Sequence, residues 1–161
     1  MRFILFITTL FLLCSCNKTN QASFTLDPSK PVEIGIESII NTDKENVKIN
    51  IYMINHNPVA GVQFEITPNS FFEVDTVLGG RCEENNFSLN SNKQGKILGF
   101  SMTGMNIPES NSANKTENIL FSVLAKSIRA IDTLLTINSI IASSDAKKMD
   151  FISIPFEVIG K

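Results

Sequence analysis

Hydrolysis and group transfer need at least two polar groups with tuned proton affinities held close together, and this chain offers few side chains of that kind. His56, its only histidine, sits in Asn55-His56-Asn57-Pro58 and reads as a solvated turn residue rather than a general base or metal ligand. Glu33 and Glu37 share one face of an alternating run. Four residues of strand separate them by about 13 Å at about 3.3 Å per residue, whereas two carboxyl groups acting on a glycosidic bond stand about 5 to 10 Å apart. Both are expected on a solvated face. Glu83 and Glu84 are adjacent and point to opposite sides of an extended segment. Cys82 lies in the polar, turn-rich Gly79-Gly-Arg-Cys-Glu-Glu-Asn-Asn86. It reads as an exposed thiol beside Arg81 or, more simply, as a spare cysteine. Asp145 and Asp150 flank Ala146-Lys-Lys-Met149, and two lysines between them oppose a calcium site and favour a hairpin turn. Asp132 has no close acidic neighbour, and Asp75 has only Glu73, so no metal is assigned to either. There is no Gly-x-Ser-x-Gly elbow, no phosphate-binding glycine loop and no second histidine for zinc. The expectation is a protein that is not an enzyme and carries no cofactor and no metal.

The elements that must position any site are strands. Val32, Ile34 and Ile36 alternate with Glu33, Gly35 and Glu37, and Val47, Ile49, Ile51 and Met53 repeat the pattern, so each run buries one face and wets the other. After Pro58, Val62, Phe64 and Ile66 share a face opposite Gln63 and Glu65. Further strands are expected over 71–78, 87–89, 96–102, 119–126, 133–138, 140–142 and 151–159. In the last, Ile152, Ile154, Phe156 and Val158 are expected inward and Phe151 outward, with Pro155 marking an edge or a bulge. Seven to ten short strands with one polar face each imply an all-β, two-sheet β-sandwich. Residues 104–118 are rich in Ser and Asn and lack alternation after Ile107, which predicts a long exposed loop.

The chain begins differently. Arg2 precedes an apolar run from Phe3 to Leu13, too short to span a bilayer but the size of a signal-peptide core. Leu13-Cys14-Ser15-Cys16 resembles the lipobox of bacterial lipoproteins, with Leu at −3, Ser at −1 and the modifiable Cys at +1. The resemblance implies cleavage after residue 15 and lipid on Cys16. Residues 16–30 are polar up to Pro31 and read as a lipidated tether, leaving 31–161 as one domain with a real core. With Cys14 removed and Cys16 lipidated, only Cys82 remains of three cysteines, so no intrachain disulfide forms. The formal net charge of −2 grows one unit more negative without Arg2 and gives no basic excess for nucleic acid. The expected place is the cell envelope, as a membrane-anchored lipoprotein of the outer membrane, facing the periplasm or exposed at the surface.

Four segments resemble cohesin-like domains in order and spacing. They are Val59-Ala-Gly-Val-Gln-Phe-Glu-Ile66, Gly95-Lys-Ile-Leu-Gly-Phe-Ser-Met-Thr-Gly104 with Ile107-Pro108, Asn118-Ile-Leu-Phe-Ser-Val-Leu-Ala125, and Leu135-Thr-Ile-Asn-Ser-Ile-Ile-Ala-Ser-Ser-Asp-Ala146. The resemblance runs over about residues 32 to 159. It implies a nine-stranded, noncatalytic jelly-roll sandwich that binds dockerin modules on cellulosomal enzymes, or a domain akin to carbohydrate-binding modules of related fold. The polar insertion after Ile107 and the single unit depart from that pattern and put dockerin itself in question. No dockerin-contact residue falls in these segments.

Two partner classes follow: an extracytoplasmic protein, of dockerin type or another envelope component, and, as the alternative, a polysaccharide. Sugar recognition favours flat aromatic rings, yet the chain has no Trp and only Tyr52, on the polar side of its strand. Protein binding asks less, and Lys48, Asn50, Tyr52, Gln63 and Glu65 form the candidate ligand face, a polar-rimmed patch around one aromatic anchor.

Overall fold

The computed structural model describes residues 24–127 and 133–158, and the alternating runs become strands. They are β1 (Val32–Asn41), β2 (Asn46–Ile54), β3 (Val59–Thr67), β4 (Phe72–Leu78), β5 (Phe87–Ser91), β6 (Lys96–Ser101), β7 (Ile119–Ser127), β8 (Thr133–Ser143), β9 (Lys148–Met149), β10 (Phe151–Ile154) and β11 (Phe156–Val158). One short helix, α1 (Gly80–Glu84), follows β4. The first sheet has the order β10-β1-β2-β7-β4 and the second β11-β8-β3-β6-β5, with β9 paired to β8. Only β1 and β10 pair in parallel among the described strands. Counting β10 and β11 as one crossing strand and setting aside two-residue β9 leaves the nine strands of a jelly roll.

The core lies between the sheets. Ile34, Ile49, Ile51 and Met53 from the first meet Phe64, Ile97, Leu135 and Ile137 from the second, each 1 % exposed or less. Phe64 and Phe121 join the layers edge to face at 5.4 Å and 64°, a geometry worth about 0.5 to 1.5 kcal/mol beyond the area it buries.

Three elements differ from their sequence pattern. The runs 133–138 and 140–142 are one continuous strand, β8, which pairs with β3 from Thr136 to Ser143 and with β11 from Thr133 to Leu135. The run 151–159 is divided at Pro155: β10 pairs with β1 in the first sheet and β11 with β8 in the second. Proline has no amide to give a ladder, so the crossover falls where a donor would be lost. The crossing also resets the alternation. Phe151 packs against the core, whereas Ile152 is 51 % exposed, the reverse of the expected facing. Ile159 lies outside the described residues.

The third is the segment between β6 and β7, expected as an exposed loop. Ile107, Ser110 and Asn118 within it are buried, and Ile107 exchanges backbone hydrogen bonds with Val59 at 2.8 and 2.9 Å. It is a strap laid across one end of the sandwich. Sequence alternation misses it because its buried residues follow no strand or helix period.

Candidate functional site

The predicted ligand face does not form a single surface. Lys48, Asn50 and Tyr52 belong to β2 in the first sheet, and Gln63 and Glu65 to β3 in the second, so the two groups look outward on opposite sides. Lys48 is half-buried, and Asn50 is consumed internally: its Nδ2 donates to Ser38 Oγ at 2.9 Å and its Oδ1 accepts from Ser122 Oγ at 2.8 Å. Tyr52 is not an exposed anchor but fully buried. Its ring lies over Gly35, where a Cβ would stand 2.8 Å from a ring carbon, and the strap carries Lys115 Nζ to 4.9 Å from the ring centroid. Its hydroxyl donates to Glu33 at 2.8 Å. Burial first, then this hydrogen bond and the charge of Glu33, hold the phenol well above its usual range. Glu33 and Glu37 are therefore not simply solvated. Both are half-buried, and Glu37 accepts from Thr116 Oγ1 of the strap at 3.2 Å.

His56 is 8 % exposed rather than solvated. Its ring stacks on Phe24 at 5.3 Å and 17°, and its Nδ1 accepts the Asp27 amide at 3.1 Å. Phe24 to Lys30, within the segment read as tether, thus lie against the domain, and Asn57 Nδ2 adds a bond to the Pro28 carbonyl at 2.9 Å. Cys82 is buried in α1, not an exposed thiol, and desolvation raises it to about 12 against the pull of Arg81. Asp145 forms the expected turn: Lys147 Nζ lies 2.6 Å away, and that lysine, then Ser143, draw the carboxyl down to about 2. Among the described residues no three or more His, Cys, Asp or Glu gather as metal ligands. Cys16 lies outside the described residues.

Sequence reasoning missed Arg81. It is 8 % exposed, and its Nη1 donates to the Met53 carbonyl and Asn55 Oδ1 at 2.9 Å, Ser110 Oγ at 3.1 Å and Asn118 Oδ1 at 3.3 Å. Nη2 donates to the Pro108 carbonyl. One guanidinium thus ties α1, the end of β2 and the strap together.

Gln63 and Glu65 stand among different neighbours. Register places Ile140, Gln63, Leu98 and Asn90 in one row across β8, β3, β6 and β5. Ala142, Gly61, Phe100 and Ser88 form the next row, and Asn138, Glu65 and Lys96 the row on the other side. Leu98 is 45 % and Ile140 51 % exposed. Phe100, half-buried, is the only ring facing outward on these four strands. The outer face of the second sheet is therefore apolar at its centre and polar at its rim.

No family model and no curated protein sequence matches the chain. Solved structures do match in shape. A non-cellulosomal cohesin from the hyperthermophilic archaeon Archaeoglobus fulgidus superposes with a TM-score of 0.56 at 15% identity, covering 81% of this chain and 93% of its own. The third ScaB cohesin of R. flavefaciens, solved with a group 1 dockerin, gives 0.52 at 11% identity over 83% and 99%. A cohesin from Clostridium thermocellum, solved in a type I cohesin-dockerin complex, gives 0.50 at 15% identity over 84% and 97%. The fold is the jelly-roll sandwich of cohesin domains.

Proposed function

We propose that this protein is a noncatalytic binding module, held at the cell envelope by lipid on Cys16, that recognises an extracytoplasmic protein through the outer face of its second sheet. The observation that carries the reading is the row Ile140, Gln63, Leu98: two exposed aliphatic side chains flank one polar group, with Glu65, Lys96, Asn138 and Asn90 around them. An apolar centre inside a polar rim is the anatomy of a protein interface. Four strands at about 4.8 Å spacing and five residues at about 3.4 Å give a planar area of about 330 Å². A standard interface takes about 800 Å² from each partner, so the contact extends beyond the strands, and Met102, 78 % exposed just past the end of β6, adds apolar surface there. The dockerin complexes of similarly folded cohesins support a protein partner, of dockerin type or another envelope component. Polysaccharide capture asks for a strip of exposed rings, and among the described residues this face offers Phe100 alone.

The test uses the detergent-solubilised full chain as bait on cell-envelope extract, with Leu98→Asp plus Ile140→Asp as the paired variant. The wild type is expected to retain a protein that the variant loses at unchanged melting temperature. Equal retention by both, or retention of glycans with no protein, overturns the reading. For the anchor, Cys16→Ser is expected to release the protein from membranes or leave it unprocessed, and normal cleavage with unchanged membrane retention opposes lipidation.

A further inference from the structure

The opposite side of the sandwich carries a cleft of about 560 Å³, within the range of small-ligand pockets. Its floor is set by register. Glu33 pairs with Ile152 on β10 and with Ile54 on β2, so one row of the first sheet's outer face reads isoleucine, carboxylate, isoleucine. Phe24, stacked on His56, together with Lys30, Pro31 and Ala113 of the strap, lines the rest of it.

The carboxylate is both fixed and available. One oxygen of Glu33 accepts the Tyr52 hydroxyl at 2.8 Å, and Tyr52 is itself clamped between Gly35 and the strap. Among the described residues no ion pair reaches Glu33. A positioned carboxylate between two isoleucines suits a donor that brings positive charge on a methylene stem. The stem packs on the isoleucines while the head makes a charge-assisted hydrogen bond, roughly twice as strong as a neutral one. An aromatic wall adds attraction for the same head group. This surface already holds one such group, since Lys115 of the strap packs its ammonium over the neighbouring Tyr52 ring. An anionic ligand would meet Glu33 as a like charge.

We propose that the cleft receives a lysine or arginine side chain from a protein partner, a contact separate from the outer face of the second sheet. It takes from the proposed function only that the partner is a protein. Lys30, exposed at the rim, is the internal competitor for Glu33.

The probes are N-acetyl-lysine amide and N-acetyl-arginine amide, with N-acetyl-norleucine amide as the control that keeps an apolar stem without the charge. They are titrated into the full chain in detergent while the amide resonances of Ile54 and Ile152 are followed. The basic probes are expected to saturate these shifts at millimolar concentration. Glu33→Gln, which keeps an acceptor for Tyr52, should weaken them about tenfold at unchanged melting temperature, and Lys30→Ala should strengthen them a few-fold. Equal saturation by norleucine amide, no effect of Glu33→Gln, or saturation by a neutral oligosaccharide instead overturns the proposal. A free diamine such as 1,5-diaminopentane binding more tightly than both amides would overturn the protein source of the cation. Leu98→Asp plus Ile140→Asp should leave probe binding intact, so loss of capture on the other face and loss of this site are separately visible.

Discussion

Arg81 is a buried cation surrounded by neutral oxygens: two carbonyls, two side-chain amides and one hydroxyl. Burial works against its charge, and the interaction is favourable only because all five acceptors converge on one fork. Removing the fork takes one hydrogen bond from each: Asn55 and Ser110 still donate to one another and to the Met53 and Pro108 carbonyls, whereas Asn118 Oδ1 loses its donor, at about 1 to 3 kcal/mol for a buried group that water cannot reach. Arg81→Ala is expected to lower unfolding free energy by about 3 kcal/mol, seen as a shifted urea midpoint at constant slope. Arg81→Lys should recover only part of that loss, because an ammonium cannot span the same acceptors. Next to it, the Cys82 thiol is raised to about 12 by desolvation, so almost none is thiolate at pH 8. Iodoacetamide at that pH is expected to leave the native protein unlabelled and to label it fully in denaturant; rapid labelling of the native protein would contradict the burial. Neither role is readable in Gly79-Gly-Arg-Cys-Glu-Glu-Asn-Asn86, whose polar letters describe a turn. Arg81's partners lie 26 to 37 residues away, and only the folded chain brings them together.

The same network shows what an element contributes beyond its own hydrogen bonds. Helix α1 sits directly on β7, and Gly80, at φ +62, makes that approach possible: a Cβ there would stand 2.6 Å from the Ile119 and Leu120 carbonyl oxygens. Backbone cannot yield as a side-chain tip can, so Gly80→Ala combines left-handed strain of about 1 to 2 kcal/mol with displacement of the helix that carries Arg81. It is expected to cost at least about 3 kcal/mol. Combined with Arg81→Ala the losses should be less than additive, since both release the same strap. Gly104→Ala is the control: its φ is +74 but nothing lies within 4 Å of the added carbon, so about 1 to 2 kcal/mol of strain alone is expected. Equal losses at both glycines in urea unfolding would refute the close-approach account. Alternation placed β1, β3, β6 and the first half of β2 because one face of each is at least partly wet. It failed for β10, where the crossing at Pro155 exchanges inside for outside, and for the strap, whose three buried residues anchor through hydrogen bonds rather than periodic packing.

At the scale of the whole molecule, alternation and length imply two packed sheets but not which strand joins which, because pairing is decided between distant segments. That is why Lys48, Asn50 and Tyr52, read as one face with Gln63 and Glu65, lie on the opposite side. The consequence of burying Tyr52 and Cys82 is global and appears in the pH dependence of stability. Both have folded values above their ordinary ones of 10.0 and 9.0. Each therefore contributes stability that is fully present below its ordinary value and is lost as pH rises toward its folded one. For Cys82 the window runs from about pH 9 to 12, and for Tyr52 it begins about one unit higher. Asp27, Asp43 and Asp145 are shifted the other way, below 3.8 by hydrogen bonds from Ser29, Asn46 and Lys147 respectively. Their contributions are present above that value and vanish as pH falls, for Asp145 down to about 2. These three lie on the surface, where solvent and salt screen charge, whereas the phenol and thiol are fully buried. The expected profile of melting temperature against pH is a plateau from about pH 5 to 8, a shallow acid limb that flattens further in high salt, and a steeper alkaline limb that salt hardly moves. Cys82→Ala should delay the onset of the alkaline limb, and Tyr52→Phe should reduce its steepness above pH 10. An alkaline limb unchanged in both variants, or an acid limb steeper than the alkaline one, would show that surface carboxylates rather than these two buried groups govern the response.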